Sequence, residues 1–327
     1  MGLVFLLTLL FISPSNSLAA EKPIVLKFAH QLPETQPVAK QARFFEKLVQ
    51  EKSKGRVTIE IYPAAQLFTA RDLFPAVKRG AVEMAAVVIG PMQGAIPLME
   101  IFDIPFVFTE FEQVKKGWYG YLGEVLKKEL EKQGVYWLAP GYYGFAQASN
   151  NKREIRSPDD FKGLKIRTVG PLTAEIVTLM GGGVVVMGGD EAYLAMAKGV
   201  VDGSITGNVT MATRKYYEIQ KYVTILNLGY IGIPMLINLE VWNSLPKEIQ
   251  KLIQECATES GEFVLKETIE EEKKSVEILK EKGMIVYTPT KAEMEKFKKT
   301  AATIKDKWLK RHGEVAAKLI KFVEEIK

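Results

Sequence analysis

The sequence is poor in the residues that form disulfides and soft-metal centres. Its 327 residues include one cysteine, Cys256, and two histidines, His30 and His312. A single thiol forms no internal disulfide, and zinc sites usually take several Cys or His ligands. Cys256 lies in a stretch with helical periodicity, where a small buried side chain is the expected role. We therefore expect no metal site of this kind and no cofactor, although a carboxylate-bound ion is left open.

A strong charge of one sign is also missing. Lys and Arg number 44, Asp and Glu number 39, and the formal net charge is +5. Over residues 247–327 the two signs are interleaved, which is typical of solvated helix faces and not of a phosphate-binding stripe. This pattern argues against nucleic acid as a partner. With 47% hydrophobic residues, the chain has the composition and length of a globular protein with two lobes.

The N-terminal segment has the pattern of an export signal. Residues 2–12 carry no charge, residues 13–16 break the apolar run, and Ser17-Leu18-Ala19 places small residues where a signal peptidase reads. The run is shorter than the ~20 residues that an apolar membrane anchor needs. We expect a signal peptide over residues 1–20, cleaved after about Ala19 or Ala20, and a periplasmic protein. No basic residue precedes the run, so a start codon further upstream is left open.

Two similar successions of strands and helices follow. In each, apolar periodicity and glycine stops predict the order β-α-β-α-β, which favours a parallel, wound sheet. The first succession comprises strands at 25–29, 57–62 and 84–89 with helices at 37–54 and 73–79. The second comprises strands at 165–168, 184–187 and 202–206 with helices at 172–180 and 191–198.

The sequence therefore predicts an α/β, two-lobed fold of the periplasmic binding protein type, each lobe a wound sheet flanked by helices. We expect lobe I at 21–143 plus about 233–262, and lobe II at 144–232 plus about 263–327, with strands crossing near 143–146 and 230–235. A charged helix is predicted over 246–282. At ~1.5 Å per residue it would reach about 50 Å and brace both lobes. A short strand at 285–286 and a mostly helical segment from 293 follow.

Seven short stretches give the chain a family resemblance. They occur at 62–67, 80–85, 104–108, 162–168, 191–196, 199–203 and 215–222, and the sharpest reads Lys162-Gly163-Leu164-Lys165-Ile166-Arg167-Thr168. In this order and spacing they resemble the DctP-like substrate-binding subunits of tripartite ATP-independent periplasmic (TRAP) transporters, over about residues 24–320. The resemblance implies that Arg167 pairs with a ligand carboxylate. Its planar fork of donors suits a carboxylate, and its position at a strand end suits a ligand site.

Two positions depart from the family pattern. A second arginine that relatives carry before the Asn-Lys turn falls here on Ala146. An asparagine that sugar-acid binders carry falls on Thr206, and Asn208 is the nearby residue able to substitute for it. One cationic contact instead of two favours a monocarboxylate with an apolar or hydroxylated body over a dicarboxylate or a sialic acid.

Further candidate ligand contacts lie at predicted strand ends and crossings. His30 and Gln31 follow the first strand, although His30 is also compatible with a capped loop residue. Phe145 is equally compatible with core packing. The predicted ligand-binding set is Arg167, Gln31, His30, Val88, Tyr143, Phe145, Met187, Thr206 and Asn208.

The sequence predicts a binding protein and not an enzyme. It contains no nucleophile elbow, metalloprotease motif or P-loop lysine, and the glycine run at 181–183 follows a helix, the reverse of nucleotide-binding order. We expect capture of a small organic acid by lobe closure and delivery to the membrane subunits of an ion-gradient-driven permease. Two alternatives stay open: a binding protein for an ATP-driven importer or a sensor, and an exported hydrolase.

Overall fold

The structure is a computed structural model that describes residues 23–327. The predicted signal segment and its cleavage site lie outside the described residues. The strands are β1 (Ile24–His30), β2 (Val57–Tyr62), β3 (Met84–Ala86), β4 (Val135–Ala139), β5 (Tyr142–Phe145), β6 (Gln147–Asn150), β7 (Lys165–Thr168), β8 (Gly183–Val186), β9 (Gly203–Thr206), β10 (Tyr222–Thr224), β11 (Tyr230–Gly232), β12 (Met235–Asn238) and β13 (Ile285–Tyr287).

Helices cover most of the remaining chain. They are α1 (Pro37–Lys52), α2 (Leu73–Lys78), α3 (Ile89–Met92), α4 (Phe111–Tyr119), α5 (Tyr121–Lys132), α6 (Pro171–Leu179), α7 (Gly189–Ala197), α8 (Asn208–Thr213), α9 (Leu239–Ser244), α10 (Lys247–Glu281) and α11 (Lys291–Glu325). Short 3-10 helices lie at Pro97–Phe102, Pro158–Phe161 and Tyr216–Glu218. Among the described residues, no helix combines the length and apolar character that crossing a membrane requires.

Two mixed sheets form the two lobes. The first has five strands in the order β2-β1-β3-β12-β4, and the second has six in the order β13-β10-β6-β9-β7-β8. Within them β1, β2 and β3 run parallel, as do β7, β8 and β9, so the carboxyl ends of three strands meet at one edge of each sheet. The predicted α/β fold with two wound sheets is confirmed. The exact lobe boundaries stay a prediction.

A two-stranded ribbon joins the lobes. Strand β5 leads from the first sheet to the second, β11 leads back, and the two pair antiparallel. The 35-residue helix α10 packs against α1 and β4 of the first lobe, against β5 of the ribbon, and against α8 and β13 of the second lobe. The predicted bracing helix is therefore confirmed, and its middle lies against the ribbon.

One predicted strand is too long. The apolar run 84–89 pairs as a strand only to Ala86, and α3 begins at Ile89. Pro91 lies in this helix, and a proline has no N–H to give to a sheet ladder. The run is nevertheless buried throughout, because Val88 and Ile89 pack into the core below the lobe interface. Burial alone therefore did not distinguish a strand from a turn into a short helix.

Candidate functional site

A small cavity lies between the carboxyl ends of the parallel strands of the two lobes. Its volume is about 20 Å³, which is room for about one water molecule. Its walls combine polar groups with four branched apolar side chains. The lining residues are Gln31, Val88, Tyr143, Arg167, Val169, Gly189, Ile205, Thr206 and Ile231. Five of the nine residues predicted from the sequence are among them: Gln31, Val88, Tyr143, Arg167 and Thr206.

Arg167 carries the main charge of this cavity. It is 3% exposed, and β7 holds it between β8 and β9. Its Nε and Nη2 donate to the carbonyl oxygen of Met187 at 3.1 and 2.9 Å, and its Nη1 donates to the carbonyl oxygen of Ile205 at 3.4 Å. Burial lowers the pKa of Arg167, while the nearby acid Asp190 acts in the opposite direction. A guanidinium keeps its proton even so.

No carboxylate among residues 23–327 forms an ion pair with Arg167, whose three hydrogen bonds all go to backbone carbonyls. A buried charge is costly unless an opposite charge offsets it. The backbone at Gly189 leaves the space beside the fork open, because a Cβ there would lie 3.6 Å from Nη2 of Arg167 and 3.8 Å from Oε1 of Gln31. The arrangement can therefore accept an anion from the cavity side.

A hydroxyl cluster forms the floor next to Arg167. The phenol of Tyr143 lies 3.3 Å from Oγ1 of Thr206, and Oγ1 of Thr210 also donates to it. All three side chains are at least nine-tenths buried. Hydroxyl groups both donate and accept, so this cluster can rearrange to meet a ligand oxygen.

The lobes are closed on one another. Nε2 of Gln36 donates to Thr210 and Thr213 of α8 at 3.0 and 2.7 Å. Nη2 of Arg214, just after α8, donates to both the backbone carbonyl and the side-chain oxygen of Gln31 at 3.1 Å. These bonds link the first lobe to the second and so stabilise the closed state.

The other four predicted residues lie outside the cavity lining. Met187 contributes its carbonyl to Arg167. The Phe145 ring packs against Phe111 and Tyr230, with ring centroids 5.2 and 5.8 Å apart. The amide of Asn208 donates to Glu272 at 3.0 Å, on the side of α8 that faces α10.

His30 is also placed outside the lining. It is 1% exposed at the end of β1, and its Nδ1 accepts the N–H of Leu32 at 3.3 Å. Burial lowers the pKa of His30 to about 4, so the ring is neutral near pH 7. The ligand-binding roles of all nine residues stay predictions.

Sequence reasoning missed two polar residues at this site. Arg214 follows a short helix and has the pattern of an exposed cation, and its partner Gln31 is 183 positions away. Glu272 lies within a run of acids and bases on α10 that reads as a solvated face, yet its Oε1 is inaccessible to water. The local sequence did not predict the environment of either residue, because each environment is formed by segments distant in the chain.

Comparison with known proteins assigns the family. The model of the bacterial extracellular solute-binding proteins, family 7 (DctP), matches residues 28–311. The chain is 33% identical over 279 residues to the C4-dicarboxylate-binding periplasmic protein DctP of Rhodobacter capsulatus, covering 84% of this chain and 83% of that protein.

Solved structures agree with this assignment. A TRAP periplasmic solute-binding protein from Sulfurospirillum deleyianum with bound succinate has a TM-score of 0.88 and 27% identity. The match covers 94% of this chain and 100% of that chain. Another from Ralstonia eutropha with bound (S)-2-acetolactate has a TM-score of 0.85 and 28% identity, covering 92% of this chain and 98% of the other. The family consists of periplasmic proteins that bind substrates and work with membrane permease subunits, and it is not a family of enzymes. The chain belongs to family 7 of the bacterial extracellular solute-binding proteins, the DctP family of TRAP transporters.

Proposed function

We propose that this protein captures a small monocarboxylate between its lobes, beside Arg167, and delivers it to the membrane subunits of a TRAP-type permease. The observation that supports capture is the buried guanidinium of Arg167, bonded only to the carbonyls of Met187 and Ile205. A ligand carboxylate would supply the missing negative charge and accept two parallel donors from the fork. Lobe closure would then remove water from the pair and strengthen it.

The nature of the cavity walls supports a monocarboxylate. Val88, Val169, Ile205 and Ile231 present apolar surface to the space beside Arg167. Ala146 occupies the position of the family's second arginine and is itself buried. Its N–H donates to the carbonyl of Gly229, and its carbonyl accepts the N–H of Leu228, both just before β11. A second carboxylate against these walls would lose its hydration without gaining a charge partner, whereas an apolar body would gain from burial.

A dicarboxylate is the second candidate, and Arg214 is the observation that favours it. Among the described residues, its guanidinium binds only the neutral oxygens of Gln31. Its positive charge is near enough to lower the pKa of Arg167. Gln31 itself lines the cavity. The DctP protein of Rhodobacter capsulatus is named for binding C4-dicarboxylates, and the Sulfurospirillum protein holds succinate, while the Ralstonia protein holds the monocarboxylate acetolactate.

Titration calorimetry with matched acids decides between the two. Pyruvate, lactate and (S)-2-acetolactate represent the monocarboxylates, and succinate and malate the dicarboxylates. We expect a monocarboxylate to bind most tightly. The proposal of a monocarboxylate is wrong if a C4-dicarboxylate binds at least about tenfold more tightly, or ~1.4 kcal/mol, than every monocarboxylate tested.

The site of action is proposed from the N-terminal segment and the family. Removal of residues 1–19 or 1–20 would release a periplasmic chain that begins near Ala20 or Glu21. N-terminal sequencing of the secreted protein tests this directly. A mature chain that still carries Phe5 and Leu6 would contradict it.

A further inference from the structure

A buried carboxyl group with no charged partner lies where the ribbon meets the long helix. Glu272 is near the middle of the C-terminal half of α10, and its stem is partly exposed, but its Oε1 is inaccessible to water. Its Oε2 accepts a hydrogen bond from Nδ2 of Asn208 at 3.0 Å. Oε1 has no hydrogen-bond partner among the described residues, and neither does the amide oxygen of Asn208. Both of these oxygens are therefore unsatisfied if the carboxyl is ionised, because a carboxylate has no proton to donate.

The same carboxyl group touches the backbone of the ribbon. A Cβ at Gly144 would lie 2.2 Å from Oε1 of Glu272, so the absence of a side chain there is what lets the carboxyl fit. Gly144 has φ of 132°, a conformation that favours glycine. The carboxyl of Glu272 is thus held between β5, the start of α8 and its own helix.

These contacts connect Glu272 to the cavity. Gly144 follows Tyr143, and Asn208 lies two positions after Thr206, and both Tyr143 and Thr206 line the cavity. The chain passes between the two sheets through β5, β11 and the long helix α10, so opening the lobes requires these connections to bend. Bending at Gly144 would separate the ribbon from α10 and let water reach the carboxyl. The environment of Glu272 is therefore expected to differ between open and closed states.

Protonation is favoured in the closed state. Burial raises the pKa of Glu272 to about 7, and the hydrogen bond from Asn208 offsets this only in part. Solvent exposure on opening would return the pKa toward its ordinary value of about 4.3. A group whose pKa is higher in one state binds a proton as that state forms, at any pH between the two values.

We infer that Glu272 is a proton-binding site in the hinge, and that closure of the lobes on a carboxylate ligand loads it with a proton. The identity of the ligand in this inference rests on the proposed function. The contacts of Glu272 with Gly144 and Asn208 do not depend on which acid is bound. Protonated, the carboxyl is neutral and buried at little cost; ionised, it opposes closure. Ligand binding is thereby coupled to uptake of a proton.

Other charged and titratable groups near α10 are already engaged or do not contact Glu272. On α1, Lys40 pairs with Glu267 and Glu271, Arg43 with Glu34 and Glu46, Lys47 with Glu51, and Lys52 with Glu259. Arg56 pairs with Glu248 of α10, and Lys115 of α4 pairs with Glu262. The other elements packed against α10 carry the titratable groups Tyr136 of β4, Tyr142 and Tyr143 of β5, Arg214 just after α8 and Tyr287 of β13. The hydrogen bond to Glu272 from the described residues comes from Asn208, which is neutral.

One competing group also bridges the lobes. Asp103 accepts hydrogen bonds from Gln93 at 2.5 Å and from Thr173 of α6 at 3.3 Å, and burial raises its pKa to about 6. It could produce a similar dependence on pH if the contact with Thr173 breaks on opening. The variant Asp103→Asn is therefore the matched control for Glu272→Gln, which replaces the carboxyl by a neutral group of the same shape.

Calorimetry with pyruvate, which stays ionised throughout, tests the linkage. The wild type and Asp103→Asn should bind pyruvate about tenfold more weakly at about pH 7.5 than at about pH 5.5, with proton uptake seen as heat that depends on the buffer. Glu272→Gln should bind with nearly the same affinity at both pH values and take up no proton. Identical pH profiles of the wild type and Glu272→Gln, or a dependence lost in Asp103→Asn, would overturn the inference.

A measurement without ligand separates this inference from the proposed function. Spin labels at Lys47→Cys and Lys162→Cys, two exposed positions on opposite lobes, report the opening in a Cys256→Ala background. Acidification should enlarge the population with the short inter-label distance, and Glu272→Gln should abolish that response. If pyruvate, lactate and (S)-2-acetolactate all fail to bind while this response is present, the proposed ligand class is wrong and the proton site stands. If the response is absent, the proton site is wrong.

Discussion

Arg167 combines burial with the lack of an acidic partner among the described residues. Such a charge destabilises a folded protein unless something offsets it, so its retention at a strand end points to an anion supplied from outside. The carbonyls of Met187 and Ile205 hold the guanidinium in place and accept hydrogen bonds from some of its N–H groups. They do not neutralise it, and this difference distinguishes the site from a structural ion pair.

The variant Arg214→Gln distinguishes two roles for Arg214, holding the lobes together and contacting the ligand. The substitution removes the bonds from Arg214 to Gln31 across the cleft. If these bonds only hold the lobes together, affinity for pyruvate should fall about three- to tenfold, corresponding to about 0.7–1.4 kcal/mol. Calorimetry gives this value directly.

The control for that variant is Arg79→Gln, an exposed arginine on the first lobe. It should leave the affinity unchanged. A loss of more than about a hundredfold for succinate in Arg214→Gln, with little loss for pyruvate, would make Arg214 the partner of a second carboxylate and contradict the monocarboxylate proposal.

Prediction from sequence reached some of these residues and not others. Arg167 was predictable because it lies in a local stretch, 162–168, whose order is distinctive. Tyr143 and Thr206 were placed at crossing and strand-end positions, and the structure brings both to the cavity. The environments of Arg214 and Glu272 depend on partners 183 and 64 positions away, which no local pattern encodes.

At the scale of elements, the ribbon of β5 and β11 connects the two lobes, together with the long helix α10. Its two strands pair only with one another, and a register shift lies between Ile231 and Gly232. A narrow ribbon bends more easily than either of the two larger sheets. At Gly144 the Glu272 side chain of α10 lies so close to the ribbon that an added Cβ would be 2.2 Å from its Oε1.

The variant Gly144→Ala tests this close approach. The new Cβ would collide with Oε1 of Glu272, and the alanine backbone would have to keep the φ of 132° that Gly144 has. We expect it to lower the free energy of unfolding by about 1–3 kcal/mol. Chemical denaturation measures the loss.

The control for this variant is Gly183→Ala, where the nearest atom to a new Cβ is 3.6 Å away. It should change stability little. Combining Gly144→Ala with Glu272→Ala should recover part of the lost stability, because the colliding oxygen is gone. Purely additive effects of the two substitutions would contradict the contact.

Element boundaries were predictable where the pattern had a single explanation. Strict alternation over 57–62 predicted β2, and the structure has the same bounds, because one face of β2 is buried and the other is not. The continuous apolar run 84–89 fitted a strand and a buried turn equally well, and it contains the end of β3 and the start of α3. The segment from 293 was predicted as mostly helical, and the structure has α11 there, interrupted at Gly313 by φ of 61° and ψ of −138°.

At the scale of the whole molecule, hydrogen bonds between the lobes stabilise the closed state. One set runs from Gln36 to α8, and another from Arg214 to Gln31, which lines the cavity. A further bond joins Asp103 to Thr173 on α6. A ligand that binds the closed state alone shifts the equilibrium toward it by its own binding free energy.

Gln36→Ala is expected to weaken ligand binding without touching the cavity. It removes two donors to Thr210 and Thr213, so the closed state should lose about 1–2 kcal/mol, or roughly five- to thirtyfold in affinity. The loss should be in the dissociation rate, measured by stopped-flow fluorescence. Gln133→Ala, which removes a contact with Lys78 on one lobe, is the control. Equal affinities of Gln36→Ala and the wild type would show that these bonds do not stabilise the liganded state.

The most direct test of ligand capture is calorimetry on the wild type and Arg167→Ala with pyruvate and with its neutral amide, pyruvamide. If the guanidinium of Arg167 holds the carboxylate, the wild type binds pyruvate and discriminates strongly against the amide. The variant should lose about 2–5 kcal/mol of binding free energy for the acid and little for the amide. Arg79→Ala should behave as the wild type. Equal affinity of the wild type and Arg167→Ala for every carboxylate that binds would contradict capture through Arg167.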